Sequence, residues 1–370
     1  MTQYKIPYLN LQHVNSPLQA AYQTAIVKVF QNSNYINGVY CADFEKAYAD
    51  YTGTAYCSGL SNGLDALILS LKTLGVGVGD EVIVPAHTYI ATWLAVTHVG
   101  ATIVPVDCDP ATYNIDTTLI EEKITPRTKC IIPVHLYGQP CNMDAIMAIA
   151  NKHNLYVAED NAQAHGATFK EQKTGSFGHI NATSFYPGKN LGAIGDAGAI
   201  TTNSADLYDK VTRLKNYGSS VKYQHTMLGG NNRLDELQAA FLNLKLPLLD
   251  GYNVERNRLA AIYNTQLAGV GDIVLPHTTL GATHVYHIYI IRSGRRNQLQ
   301  EYLAANSVET LIHYPTAAYN QAAYAHLGIG EDTYPNAALV ADTCLSLPVY
   351  PGLSDGDMEY IINIIKGFFT

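Results

Sequence analysis

The sequence predicts an α/β fold: a mainly parallel sheet covered by helices on both faces, followed by a smaller α+β domain. Three observations predict it. From about residue 55 to 205, short β-branched runs alternate with helical stretches, and such alternation gives parallel sheets because each crossover lays a helix on a sheet face. Hydrophobic residues make up 47% of the chain and charged residues 15%, which suits a well-buried core and argues against disorder. The length of 370 residues is enough for two domains.

The elements follow in order. "AYCSGLS" reads as a strand entering the helix "NGLDALILSLKTLG". "DEVIVPA", "TYIATWLAVTHVG" and "ATIVPVD" then read as strand, helix and strand. Val82 to Val106 holds no Asp, Glu, Lys or Arg. Pro85, His87, His98, Gly100 and Pro105 break that stretch into short runs, so it reads as buried sheet and not as a membrane span. "TKCIIPVHL", the helix "NMDAIMAIANKHN", "LYVAED" and "GAITT" continue the pattern. A helical stretch, "RLDELQAAFLNLKLPLL", ends near Pro247, and "VERNRLAAIYNTQL" reads as a linking helix. "HVYHIYIIR", "RNQLQEYLAAN", "VETLIHY" and "DMEYIINIIKGFF" make up the expected smaller domain. The boundary is placed near Gly251, dividing residues 1–250 from 251–370. No internal repeat or low-complexity segment stands out.

Charge narrows the partners. Lys and Arg total 23 and Asp and Glu 31, for a formal net charge of -8 with no basic run. Nucleic acid and anionic membrane are therefore poor candidates, and a ligand phosphate must be held by local groups. Cys41, Cys57, Cys108, Cys130, Cys141 and Cys344 show no C-x-x-C spacing, and the chain is too long to need staples. Buried, reduced thiols in a cytoplasm are expected. The start, "MTQYKIPYLN", lacks the apolar core of a signal peptide.

Three sites could carry chemistry. "SFYPGKNLGAIGDAGAIT" sets Lys189 among small and apolar residues, with four glycines around it. "LSNGLDALILSL" puts Ser61, Asn62 and Gly63 between a strand and a helix, where free N–H groups attract a phosphate; an ordinary strand-to-helix turn has the same composition. It is neither a P-loop nor G-x-G-x-x-G. "LYVAEDNAQAHGA" ends a strand with Glu159 and Asp160, of which one can face a sheet crevice, and adds Gln163 and His165. Asp160, His165 and His135 could ligate a metal, but their spacing fits no familiar zinc pattern, so no metal is expected. A poorly solvated lysine becomes a usable amine nucleophile. A lysine of this kind, a carboxylate and a phosphate cradle are together what pyridoxal phosphate needs.

"GLSNGLDAL", "HTYIATWLAV", "PVHLYGQP", "EDNAQAHGA", "SFYPGKNLGAIGDAGAITT", "NYGS", "GGNNRLDELQAAFL" and "HVYHIYIIR" together resemble the DegT/DnrJ/EryC1/StrS sugar aminotransferases, in the family's order and over nearly the whole chain. The resemblance implies a type I aminotransferase fold with a seven-stranded sheet, pyridoxal 5'-phosphate, and a homodimer with shared active sites. It implies that Lys189 bonds the cofactor and shuttles the proton. Asp160 would pair with the pyridinium nitrogen, Gln163 would contact the ring hydroxyl and Tyr89 would stack on the ring. Asn62, Gly63 and Ser184 would hold the phosphate, joined by Asn231 of the other subunit.

The chain departs from the pattern at Leu64, where many members carry a threonine hydroxyl, so backbone N–H groups and Ser184 must do more of the binding. Some members replace the lysine by histidine and become dehydratases; here Lys189 is present. "NLQHVN", "TLIHYP" and "LSLPVYP" look most like the subgroup that aminates carbon 3 of dTDP-3-oxo-6-deoxyhexoses, giving Qui3N or Fuc3N, with L-glutamate as donor. Tyr186, His313 and Tyr314 would then approach the hexose, and Lys222 the diphosphate. Amination at carbon 4, or of a UDP-linked sugar, is the enzymatic alternative. A nucleotide-sugar sensor without turnover is the alternative of another class.

Overall fold

The computed structural model describes residues 4–370. Seven strands form the central sheet: β1 (Tyr56–Leu60), β2 (Glu81–Pro85), β3 (Thr102–Val106), β4 (Thr128–Ile131), β5 (Tyr156–Asp160), β6 (Ile180–Ser184) and β7 (Gly198–Thr202). Their spatial order is β1-β7-β6-β5-β4-β2-β3. β7 runs antiparallel to both neighbours and every other pairing is parallel. The expected parallel sheet is present, with one reversed strand that "GAITT" alone did not announce. Because β7 returns directly beside β6, the connection between them hangs at the sheet's carboxyl edge. That connection contains Lys189.

The charge-free segment folds as read. β2 is buried along its length, the helix Ile90–His98 follows, and β3 lies beside β2. Trp93 is fully buried and donates its indole N–H to the Pro85 carbonyl at 3.0 Å. No helix among the described residues is long and apolar enough to cross a membrane. All six cysteines are free and buried.

Two glycines permit close approaches at the carboxyl edge. A Cβ on Gly198 would stand 2.5 Å from the Asn62 carbonyl carbon, and one on Gly63 would stand 2.5 Å from Ser184 Cβ. Neither distance is tolerable for real side chains, so these positions let β1, β6 and β7 deliver their ends to one point.

Beyond the sheet, the helix Leu249–Gln266 passes through the expected boundary at Gly251. A second, two-stranded antiparallel sheet pairs β8 (Tyr289–Arg292) with β9 (Cys344–Leu347). Its core joins Leu259, Tyr263, Tyr289, Leu299, Leu303 and Ile361, with Ile6 from the start of the chain. "VETLIHY" forms no strand of its own, contributing only single bridges from Val308 to Ile6 and from Leu311 to Ser346.

Candidate active site

A cavity of about 810 Å³ opens at the carboxyl ends of β1, β2, β5 and β6, the position expected of a ligand site in an open α/β sheet. Asn62, Gly63, Tyr89, Asp160, Gln163, Ser184, Tyr186, Lys189, His313 and Tyr314 all line it. Asn231 and Lys222 do not. Lys222 lies in the exposed hairpin Ser219–His225, its Nζ 5.2 Å from the Tyr223 ring centre. Asn231 is also exposed, bridging Asn216 through its backbone. The helix cap near it is Asp235, so Asn231 is not explained by capping.

The pleat of β5 separates its two carboxylates. Glu159 turns away from the cavity and accepts from the N–H groups of Gly175 (2.8 Å), Phe177 (2.6 Å) and Gly178 (2.8 Å). It also contacts His135 Nε2 at 2.7 Å. His135 Nδ1 accepts from the Cys141 N–H, so Nε2 carries the proton given to Glu159. Both nitrogens of His135 are thereby engaged. His165 contacts the Ser184 carbonyl at 3.0 Å through Nε2. Burial first, then the Lys189 charge, lower the His165 pKa to about 3, which keeps the ring neutral. Among the described residues no His, Cys, Asp and Glu cluster could hold a metal.

Asp160 faces the cavity. Oδ2 accepts from the Thr92 hydroxyl at 2.9 Å and Oδ1 from the Ala162 N–H at 3.2 Å. Burial raises its pKa, opposed by those two hydrogen bonds and then by the Lys189 charge. A buried carboxylate in this condition gains from a cation placed against it. Burial lowers the Lys189 pKa from 10.5 to about 8, with the Asp160 charge acting the other way.

At the start of the helix Gly63–Thr73, the Asn62 side chain accepts from the Asp65 N–H at 2.8 Å. The N–H groups of Gly63 and Leu64 precede the first intrahelical bond, made by Ala66 to Asn62. They stand beside Ser184, whose hydroxyl oxygen accepts from the Tyr186 N–H at 3.3 Å and keeps its proton to donate. This donor set fits a phosphate, and the amine and carboxylate fit the reactive and ring-nitrogen ends of pyridoxal phosphate.

The opposite wall is aromatic. The Tyr89 side, 54% exposed, stands 5.3 Å from the Tyr314 ring centre at a tilt of 35°. Gln163 accepts from the Tyr137 N–H at 2.7 Å and donates to the Tyr314 hydroxyl at 3.0 Å. The Tyr137 hydroxyl donates to the His313 carbonyl and contacts His87 Nε2 at 2.7 Å. The circuit Tyr137, Gln163, Tyr314, His313 is closed, and it joins the β5 end to the C-terminal segment. Sequence reasoning missed Tyr137 and Thr92, and also Arg256 and His287, which line the cavity. Only "PVHLYGQP" held a visible signal, a bulky tyrosine before a glycine; Tyr137 has φ 60°, which a bulky residue adopts only when its surroundings compel it.

A sequence profile of the DegT/DnrJ/EryC1/StrS aminotransferase family matches residues 18–366. The chain is 46% identical over 98% of its length to the dTDP-3-amino-3,6-dideoxy-alpha-D-galactopyranose transaminase of Aneurinibacillus thermoaerophilus, covering 99% of that protein. It is 45% identical over 98% of its length to the erythromycin biosynthesis sensory transduction protein EryC1 of Saccharopolyspora erythraea, again covering 99% of the relative. The crystal structure of S. venezuelae DesV in complex with a ketimine intermediate superposes with a TM-score of 0.97 at 42% identity, covering 99% of both chains. The chain belongs to the DegT/DnrJ/EryC1/StrS aminotransferase family and is a pyridoxal-phosphate-dependent sugar aminotransferase.

Proposed function

We propose that the enzyme transfers an amino group from L-glutamate to carbon 3 of a dTDP-3-oxo-6-deoxyhexose, giving a dTDP-3-amino-3,6-dideoxyhexose of the Qui3N or Fuc3N type. The observation that carries this reading is the joint lining of one cavity by Lys189, Asp160 and the pair His313 and Tyr314. The relative that is 46% identical supports the choice of sugar. A sensor that only binds a nucleotide sugar has no use for an amine with a pKa lowered to about 8.

Bound in this cavity, pyridoxal phosphate supplies an electron sink for the carbon that loses or gains a proton. Lys189 Nζ would bond the cofactor and would carry that proton. Asp160 would keep the pyridine nitrogen protonated, with Thr92 fixing the carboxylate. Gln163 still has one amide N–H free after its bonds to Tyr137 and Tyr314, which it would offer to the ring hydroxyl. Tyr89, on the cavity wall, would hold the ring. Gly63 and Leu64 N–H groups, Asn62 and Ser184 would hold the phosphate. Tyr186, His313 and Tyr314 bound the hexose. Lys222 and Asn231, remote from their own chain's cavity, serve a second subunit's diphosphate and cofactor phosphate in a homodimer. Such an enzyme would work in the cytoplasm, where its nucleotide-sugar substrate is made.

The test is a panel of dTDP- and UDP-linked keto sugars, oxidised at carbon 3 or carbon 4, offered with L-glutamate. The amination position is read by NMR. Turnover of the dTDP-3-oxo-6-deoxyhexose at least tenfold above the others is expected. Preference for a 4-oxo or UDP-linked sugar would overturn the assignment.

A further inference from the structure

The loop that carries Lys189 is closed on itself and anchored from behind. The Lys189 N–H donates to the Tyr186 carbonyl at 2.8 Å, and the Ala193 N–H returns to the Phe185 carbonyl at 2.8 Å. Between them, a Cβ on Gly192 would stand 2.3 Å from the Pro187 carbonyl oxygen, so only glycine lets the loop close this tightly. Leu191 and Ala193 share an apolar core with Leu242 and Leu246, in and just after the helix Glu236–Lys245. The last residue of that helix reaches the loop: the Gly192 carbonyl accepts from Lys245 Nζ at 2.6 Å.

Lys245 is 2% exposed. A lysine in a last helical turn ordinarily reaches water or the open carbonyls of its own helix. Here Nζ serves two neutral acceptors from elsewhere in the chain, the Gly192 carbonyl and Asn15 Oδ1, the latter at 3.2 Å. Lys215, the other buried lysine among the described residues, has Glu45 at 2.8 Å. Among the described residues, lysine ion pairs are made by Lys46, Lys123, Lys129, Lys152, Lys170 and Lys215, and none by Lys245. Burial lowers its pKa to about 8, with no carboxylate opposing the shift. An ammonium so placed is costly, and an apolar side chain of similar size would fill the core without that cost. What the charge adds is grip, because a charge-assisted hydrogen bond holds a carbonyl more tightly than a neutral donor does.

We propose that Lys245 is a positioning residue for the transamination: by clamping the Gly192 carbonyl, it holds the loop that presents Lys189 to the cavity. This rests on Lys189 as the reacting amine. A second anchor acts on the residue next to it, where Asn190 Nδ2 donates to Asn253 Oδ1 at 2.9 Å and to the Val285 carbonyl at 3.0 Å. Asn190 thus ties the loop to the helix Leu249–Gln266, and Lys245 ties it to the helix Glu236–Lys245 and to Asn15. The backbone beyond Lys189 is held on two sides, which leaves the lysine side chain as the arm that moves. Such fixing matters to rate, since a reacting group misplaced by about 1 Å can lose on the order of 100-fold.

The experiment compares the wild type with Lys245→Met and Lys245→Gln. Methionine has no donor, whereas glutamine keeps a neutral, shorter one for the Gly192 carbonyl. In the cofactor-free proteins, reductive labelling of Lys189 by a small aldehyde is followed against pH by peptide mass spectrometry, which reads the amine without turnover. The midpoint, near 8 in the wild type, should rise by about one unit in Lys245→Met as the loop loosens and water reaches the amine. In the cofactor-loaded enzymes kcat should fall about tenfold, with KM for both substrates within about twofold and Tm within a few degrees. Lys245→Gln should show less than about half of that midpoint shift and about a threefold loss in kcat. A folded Lys245→Met with the wild-type midpoint and kcat overturns the proposal. So does a loss of activity that only tracks the unfolded fraction. Lys245→Gln matching a shifted Lys245→Met also overturns it, by assigning the effect to charge and not to the clamp. If Lys245→Met does not fold, Lys245→Gln decides alone, and wild-type values in it overturn the proposal. A wild-type midpoint like that of exposed lysines would sink the reading of Lys189 itself, whereas a tuned wild type with unaffected variants sinks only the role of Lys245.

Discussion

Lys189 is useful only while its charge is easy to remove. Burial brings its pKa down from 10.5 to about 8, so the free amine is abundant two units or more below the pH an exposed lysine would need. The sign is that of a cation disfavoured by desolvation: protonation below about pH 8 costs the fold, and deprotonation above it relieves that cost. In the cofactor-free protein, reductive labelling of Lys189 by a small aldehyde should rise with pH through a midpoint near 8, read by peptide mass spectrometry. A midpoint near that of exposed lysines would show that the cavity does not tune the amine. Lys189→Ala and Lys189→Arg should both abolish turnover with the fold intact by circular dichroism, since guanidinium stays protonated. Asp160 is tested by Asp160→Asn, which keeps the shape and removes the charge. Turnover should fall by the equivalent of about 3–4 kcal/mol, the scale of a strong electrostatic partner. Wild-type rates in that variant would assign the ring nitrogen to another group.

At the scale of elements, the site depends on a link between the β5 end and the C-terminal segment. Tyr137→Phe keeps the backbone bond to Gln163 but removes the hydroxyl that serves the His313 carbonyl and His87. A net loss of about 1 kcal/mol is reasonable for one such bond. The KM for the keto sugar should rise about fivefold, with cofactor absorbance and the L-glutamate half-reaction little changed. Equal losses in both half-reactions would show that Tyr137 serves general stability. The strands and helices between Tyr56 and Thr202 were legible because their apolar runs have clear periods and carry glycines at the turns. The antiparallel direction of β7 was not, since strand direction depends on which neighbour pairs with it. β9 was also missed, because the apolar run "LSLPVYP" carries no turn signal that separates strand from loop. The helix Gln19–Asn32 buries only Ala25 and Val29 and so shows no strong period, whereas Val39–Thr52 buries Cys41, Phe44, Tyr48, Ala49 and Thr52 at helical spacing and was legible but passed over. Lys189, Asp160 and Gln163 stood out by type and by local motif. Arg256, Tyr137 and Thr92 act through contacts 26 to 176 positions away, which local pattern does not encode.

At the scale of the molecule, residues 1–250 and 251–370 are proposed as two units meeting across the cavity, with Ile6 packed into the core of the second. A closed dimer is the natural explanation for what the first unit leaves exposed. Val221 is 59% exposed, Tyr223 83% and Leu228 98%, all in or beside the hairpin that carries Lys222. Asn231 follows directly, exposed and remote from its own cavity. In a two-fold dimer each chain lends the other the same residues, and mixing tests this directly. An inactive Lys189→Ala chain and an Asn231 variant severe enough to lose activity are unfolded, combined and refolded together. If Asn231 serves the partner, one site of the mixed dimer carries both defects and the other carries neither, so activity returns. Random pairing makes half of the dimers mixed, each with one intact site, so about a quarter of wild-type activity per site is expected. If Asn231 acts within its own chain, every site keeps one defect and the mixture stays inactive. Mixed dimers demonstrated by native mass spectrometry without recovered activity would end the shared-site reading, leaving the single-chain geometry of Lys189 and Asp160 as it stands.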